Sequence, residues 1–154
     1  MRCHASTLGI YKLSWQQDEF STLDHSHALT LQACEEIERY FNKTLYAFTV
    51  PLDLSGYSIA LNKWLMCIRQ IPYAQQISYS QLATQWGKAT AVRAAGSACR
   101  RNPIPIIIPC HRVHHHDRKK IRYSGGSAQG AKSVDNIERK QYLIDLELNK
   151  LTER

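Results

Sequence analysis

Hydrophobic and polar positions along the chain change period several times, and each change marks an expected element. Residues 1 to roughly 55 open on a weak alternation through Leu8, Ile10, Tyr11, Leu13 and Trp15, which predicts short strands. A helical stretch near 27–42 follows, with Leu31, Cys34, Ile37 and Phe41 on its apolar side. Strands with one helix make a small α/β subdomain. Val50-Pro51-Leu52-Asp53-Leu54-Ser55-Gly56 reads as the connection out of it. A second amphipathic helix is predicted over 58–70, through Leu61, Trp64, Leu65 and Ile68, and Ile71-Pro72-Tyr73 ends it.

The next pattern is a pair of short helices. Ser78 to Trp86 fits one, with Ser78 or Ser80 as N-cap, and Thr90 to Arg100 fits the other. Gly87-Lys88 breaks them apart, so together they form a helix-turn-helix candidate. The second helix is almost all small: Ala91, Ala94, Ala95, Gly96, Ser97 and Ala98, with Arg93 its long group near the start. Such a face lets a backbone come close to a neighbour, either another helix or DNA. Next, three β-branched residues between Pro105 and Pro109 suggest a short, extended, buried segment, because each proline biases its predecessor toward extended geometry. A last helix, opened by Asp135 and Glu138 in a capping-box spacing, places Glu147 on its apolar side, four residues after Leu143 and three after Ile144. The expected fold class is α+β. Residues 1–55 form the N-terminal α/β subdomain with its connection, and residues 56–154 a mostly helical second domain.

Composition narrows the partner. The chain of 154 residues is 44% hydrophobic and 21% charged, as a globular protein is. Its formal net charge of +7 suits a polyanion such as nucleic acid. No apolar run approaches the ~20 residues of a membrane span, and Met1-Arg2-Cys3-His4 opens no signal-like stretch, so a soluble, cytoplasmic protein is expected. Cys3, Cys34, Cys67, Cys99 and Cys110 show no CxxC spacing, which argues against a disulfide framework or a four-cysteine zinc site. Cys34 and Cys67 read as small core residues. Cys110 reads as reactive: it stands where a buried segment ends, and His111 and Arg112 give it the electropositive surroundings that favour thiolate.

Pro109-Cys110-His111-Arg112-Val113 resembles the signature of the O6-alkylguanine-DNA alkyltransferases, the methylated-DNA–protein-cysteine methyltransferases. The likeness continues upstream through Ile71-Pro72-Tyr73, Ser78-Tyr79, Leu82-Ala83, Arg93-Ala94 and Asn102-Pro103. Downstream it takes in Tyr123-Ser124-Gly125-Gly126, Lys140, Leu143 and Glu147. It spans roughly residues 56 to 148, with a looser match before.

The resemblance implies an RNase H-like N-terminal sheet, a monomer acting on double-stranded DNA that contains O6-alkylguanine, and no cofactor. It implies Cys110 as alkyl acceptor, His111 as the base that takes its proton through a water, Glu147 as the group that polarises His111, and Asn102 as a brace for the turn. Tyr79 would turn the target's phosphate and Arg93 would fill the gap left in the stack. Ala94, Gly96 and Arg112 fall among the DNA contacts. Tyr123, Ser124, Gly125 and Gly126 would hold the flipped base, because O6 of a paired guanine cannot reach a buried sulfur.

The chain departs from that pattern in places. Ala74 stands where the family has Gly after Ile-Pro-Tyr, and Gly56-Tyr57-Ser58-Ile59-Ala60 replaces its usual Gly-Thr-x-Phe-Gln. The 114–122 loop is unusually basic, and its three histidines, His114, His115 and His116, are not expected to gather a metal. Residues 127–136 are an insertion, read as a surface loop. Cys3, His4, His25 and His27 do not match the zinc ligands some relatives carry, so no zinc is expected. Other readings are a non-catalytic DNA-binding regulator and a cysteine hydrolase. On an extended strand His111 would face away from Cys110, which disfavours the hydrolase.

Overall fold

The computed structural model describes residues 1–15, 28–117, 123 and 134–149. They form a mixed α/β structure with five α-helices and two small two-stranded sheets. Strands β1 (Arg2–Ala5) and β2 (Ile10–Ser14) pair antiparallel, Arg2 opposite Ser14, with an irregularity between His4 and Ala5. The Ile10 backbone also bonds the connecting segment, donating to Pro51 O (2.9 Å) and accepting from Asp53 N (2.9 Å). Gly9 makes this possible: a Cβ there would stand 2.6 Å from the Leu52 carbonyl carbon. Leu13 N donates to Pro103 O at 2.9 Å, which fastens this sheet to the segment leading to Cys110.

Helix α1 (Ala28–Phe41) lies within the expected range but turns a different face inward. Its buried residues are Thr30, Ala33, Glu36 and Tyr40, while Leu31 is exposed and Cys34 only half-buried. The polar members of that face all have partners, which is why it can be buried. Glu36 accepts from Thr49 N (2.9 Å), Val50 N (3.1 Å) and the Thr49 hydroxyl, clamping the connecting segment to the helix.

Helix α2 (Ile59–Arg69) starts on Ser58, whose hydroxyl accepts from Leu61 N at 3.3 Å, and buries Leu61, Trp64, Leu65 and Ile68 as its periodicity predicts. Strand β3 (Ile77–Ser78) leads into α3 (Tyr79–Gln85), and Ser78, not Ser80, is the cap. Ser78 and Gln81 cap each other reciprocally, a capping box. After the Gly87 turn comes α4 (Val92–Arg100), which packs on both α2 and α3, and Trp86 stacks on Trp64 with ring centroids 4.3 Å apart.

Strand β4 (Val113–His114) pairs parallel with β3, Ser78 opposite His114. Helix α5 (Val134–Glu147) begins one residue before Asp135, which therefore sits inside the first turn instead of capping it. There its carboxylate still complements the helix dipole. Residues 127–133 of the insertion lie outside the described residues. Among the described residues no helix is long and apolar enough to cross a membrane.

Ala74, the departure noted in the sequence, adopts φ +59°. Left-handed backbone is costly for a residue with a Cβ and nearly free for glycine. Replacing Ala74 by Gly is expected to stabilise the fold by about 0.5–1 kcal/mol, because relieved strain outweighs the added freedom of the unfolded chain. A urea midpoint at or below wild type would contradict this.

Candidate active site

The segment before Cys110 is buried as expected, but it is not extended. Ile108 N reaches back to Ile104 O at 2.9 Å, closing a tight turn, and Ile106 at its centre has φ +74°. Extended geometry fails here because the asparagine before the prolines holds the turn. Asn102 Nδ2 donates to Ile108 O (2.8 Å), and Asn102 Oδ1 accepts from Ile104 N (3.0 Å). A β-branched residue at positive φ is strained, and Ile104, Ile106, Ile107 and Ile108 are all buried around it, which holds the conformation in place.

Chain direction changes again at the cysteine. Cys110–Arg112 is a single turn of 3-10 helix, so the alternation of a strand does not govern where Cys110 and His111 point. Strand alternation therefore does not set His111 on the face opposite Cys110. Cys110 is 2% exposed, and Asn102 Nδ2, already bound to Ile108, stands 3.0 Å from its sulfur.

Its chemistry differs from the simple expectation. Burial pushes the Cys110 thiol above its ordinary value, against the pull of Asn102, Lys140, a backbone N–H and Tyr123. The resting sulfur is a thiol. The sequence neighbours do not supply its cation, because both are turned toward Glu147. Lys140 supplies it. This lysine is buried on α5 and donates from Nζ to Val113 O at 2.6 Å, and burial lowers its pKa while Cys110 and Cys99 raise it.

Glu147 gathers the rest of the site. His111 Nε2 lies 2.7 Å from Oε1, Tyr40 Oη donates to Oε1 (2.8 Å), and Ala74 N donates to Oε2 (3.1 Å). Arg112 binds both oxygens, Nε to Oε2 at 2.9 Å and Nη2 to Oε1 at 2.8 Å. Burial raises the Glu147 carboxyl, but the bonds from His111 and Arg112 outweigh it and hold the group at about 2. Burial pushes His111 below its ordinary 6.5 against the pull of Glu147, so the imidazole is neutral at pH 7. A carboxylate can only accept, so Nε2 carries the proton. The lone pair of His111 is then on Nδ1, which is buried without a hydrogen-bond partner among the described residues.

Arg112 is the clear correction. Expected among the DNA contacts, it is 6% exposed, bound to Glu147, donates from Nη1 to Ile71 O at 2.5 Å, and lies over the Tyr73 ring. A guanidinium so fully engaged inside the protein is a structural clamp.

Tyr123 is buried, and its hydroxyl has no hydrogen-bond partner among the described residues. Burial, then the nearby Cys110, raise its pKa well above 10. Ser124, Gly125 and Gly126 lie outside the described residues, as do Arg118, Lys119 and Lys120 of the basic loop and His25 and His27. Tyr79, Arg93, Ala94 and Gly96 form a separate, outward-facing group. Arg93 and Ala94 are exposed, and a Cβ on Gly96 would meet nothing within 4 Å. The buried side of α4 is Ala95, Ala98 and Cys99, so its small residues serve both close packing and an open face. Tyr79 is half-buried at the head of α3, its ring edge-on to His115 at 6.2 Å. Among the described residues no three His, Cys, Asp or Glu side chains gather as a metal site.

Sequence reasoning gave no role to Lys140, Tyr40 or Trp15. A signal for Lys140 was present: Asn136, Lys140, Leu143 and Glu147 fall on one helical stripe, and all four are buried. Tyr40 carried none, since its partner lies 107 residues away.

Acid stability follows from these two titrations. Both His111 and Glu147 have depressed folded pKa values, so each contributes stability that is complete above its unfolded value and lost as pH falls. Unfolding free energy is expected to drop below about pH 6.5 as His111 charges, and again from about 4.5 toward 2 as Glu147 protonates. Glu147→Gln should shrink the second fall and leave the part due to Glu36 and Asp53, whose hydrogen bonds also hold them low; an unchanged acid limb in that variant would refute the assignment.

Residues 62–149 match the family model described as 6-O-methylguanine DNA methyltransferase, DNA binding domain. A methylated-DNA–protein-cysteine methyltransferase of Methanosarcina barkeri is 36% identical over 120 residues, 78% of this chain and 69% of that protein. A constitutive one from Bacillus subtilis is 31% identical over 84% of this chain and 78% of its own length. One from Mycobacterium leprae is 37% identical, and the chain spans 64% of it. The crystal structure of Mycobacterium tuberculosis OGT in complex with DNA matches with TM-score 0.76 and 29% identity over 96% of this chain and 86% of that one. With a family model covering more than half its length around the Cys110 turn, the chain belongs to the 6-O-methylguanine DNA methyltransferase family.

Proposed function

We propose that this chain repairs DNA by transferring an alkyl group from O6 of guanine directly and irreversibly onto Cys110. The observation that carries the reading is the buried thiol beside a neutral histidine. Asn102 stands at the sulfur, and Glu147 fixes the His111 tautomer with Nδ1 as the proton acceptor. His111 takes the thiol proton through one water, and the thiolate displaces guanine from the alkyl carbon in line. The product is a thioether. It does not hydrolyse, so each molecule acts once.

The outward group delivers the base. Helices α3 and α4 act as a helix-turn-helix on double-stranded DNA, with the open Ala94–Gly96 face against the groove and Tyr79 at the phosphate. Arg93 enters the stack where the damaged guanine leaves. Extrusion costs a few kcal/mol and is cheaper for a poorly paired base. Tyr123 gives a proton to guanine N3, Ser124 contacts O6, and Gly125 and Gly126 let the loop pass close to the base, so guanine departs neutral. Residues 1–55 form an RNase H-like subdomain that supports the 56–154 domain, and Arg118, Lys119 and Lys120 add phosphate contacts.

A duplex with radiolabelled O6-methylguanine is expected to place label on Cys110, up to one equivalent. Turnover, or label elsewhere, would overturn the reading. Arg93→Ala should slow transfer from duplex by about tenfold or more while sparing reaction with the free base, since flipping costs apply only to DNA. Neutralising Arg118, Lys119 and Lys120 should flatten the dependence of log affinity on log salt, and an unchanged slope would remove that loop from the interface.

A further inference from the structure

Like His111 Nδ1, Trp15 Nε1 and Tyr123 Oη are buried without a hydrogen-bond partner among the described residues. They are complementary. An indole N–H can only donate, and a phenol oxygen can accept while its proton goes elsewhere. Trp15 lies near enough to Tyr123 for its N–H to favour the phenolate, and Arg139 favours it too, against burial and Cys110. The Arg139 guanidinium lies over the Trp15 ring, 5.4 Å from its centroid, and Nη1 donates to Oδ1 of the buried Asn136 at 3.0 Å. Trp15 is delivered by β2, which the Leu13–Pro103 hydrogen bond ties to the turn ahead of Cys110.

We propose that Trp15 is a positioning residue for alkyl transfer, its indole N–H stabilising the phenolate that develops as Tyr123 hands its proton to the departing guanine. This rests on the reading of Tyr123 given above. As the sulfur–carbon bond forms, the carbon–O6 bond breaks and its electron pair passes into the guanine ring. Guanine N3 takes the Tyr123 proton and the base leaves neutral. The thiol proton, first taken by His111, reaches the Tyr123 oxygen through solvent once the base has gone. A donor that makes no full hydrogen bond at rest and closes on the oxygen as charge appears acts chiefly on the transition state, and such bonds are commonly open in the free protein.

Trp15→Phe removes the N–H and keeps a ring beneath Arg139. Single-turnover rates are measured on duplexes carrying O6-methylguanine or O6-methyl-3-deazaguanine, which has no N3, and with iodoacetamide, which needs no leaving-base proton. The variant is expected to slow O6-methylguanine about tenfold or more and leave the other two rates within about twofold, since only the first reaction creates the phenolate. Equal slowing of all three would mean a packing role and would overturn the proposal, as would an unslowed first rate. Trp15→His keeps a ring donor and should retain most of the rate; a loss as large as in Trp15→Phe would exclude the N–H. Tyr123→Phe separates the two ideas. If it transfers methyl at the wild-type rate, base protonation by Tyr123 fails; if it alone is slow, only the role of Trp15 fails.

Discussion

The buried carboxylate of Glu147 is the constraint on which the rest of the site depends. Taking a carboxylate out of water is expensive unless its lone pairs are filled and its charge is matched. Here α1 sends Tyr40, the Ala74 turn sends a backbone N–H, and the Cys110 turn sends His111 and Arg112. Four separate stretches of chain must therefore arrive together for the charge to be tolerated. Arg112 supplies the only full positive charge that binds Glu147 among the described residues. It balances the carboxylate by itself, while burial keeps His111 neutral and able to act as a base. The arginine that looks in sequence like an activator of the cysteine therefore acts on the histidine's partner.

The thiol follows a different logic. A buried sulfur held as a thiol is protected from casual electrophiles and from oxidation, because the thiolate is the reactive form. Groups that favour the thiolate are nevertheless in place around it: the Asn102 amide, Lys140, a backbone N–H and Tyr123. They do not reverse the effect of burial at rest. They do lower the barrier to ionisation once a proton acceptor and an alkyl group are both aligned, which is preorganisation in a buried site. For a protein that can react only once, an inert resting state is worth more than a standing thiolate.

The Pro-Cys-His-Arg-Val run and the spacing of Glu147 made the buried Cys110 turn and the His111–Glu147 pairing legible. Helices α2 to α4 were legible too, since the periodicity of α2, the Ser78 cap of α3 and the breaker at Gly87 all agree. Long-range polar pairing hid the rest. Tyr40 and Glu36 sit on the buried side of α1 because the distant Glu147 carboxylate satisfies the first and the irregular backbone at Thr49 and Val50 the second, and no hydropathy pattern anticipates that. The turn at Ile104–Ile108 was misread for a related reason. Proline and β-branched residues favour extension locally, but the Asn102 side chain bonds the turn from outside it and overrides that preference. Arg112 was misplaced because a basic residue in a nucleic-acid-binding chain is more often outside than in.

The first 55 residues are not a support standing apart from the Cys110 site. Tyr40 binds the same carboxylate oxygen as His111, and the backbone of Leu13 bonds Pro103 at the start of the segment leading to Cys110. A short helical domain with one strained, buried loop cannot fill every polar group that a nucleophile and its proton path expose. The N-terminal sheet and α1 complete that shell. The strain at Ile106 is held by the isoleucines buried around it, and the shell that α1 completes includes the left-handed Ala74, whose N–H shares Glu147 with Tyr40. Two backbone conformations that are unfavourable in isolation therefore persist because the chain on both sides of the 50–56 connection closes over them.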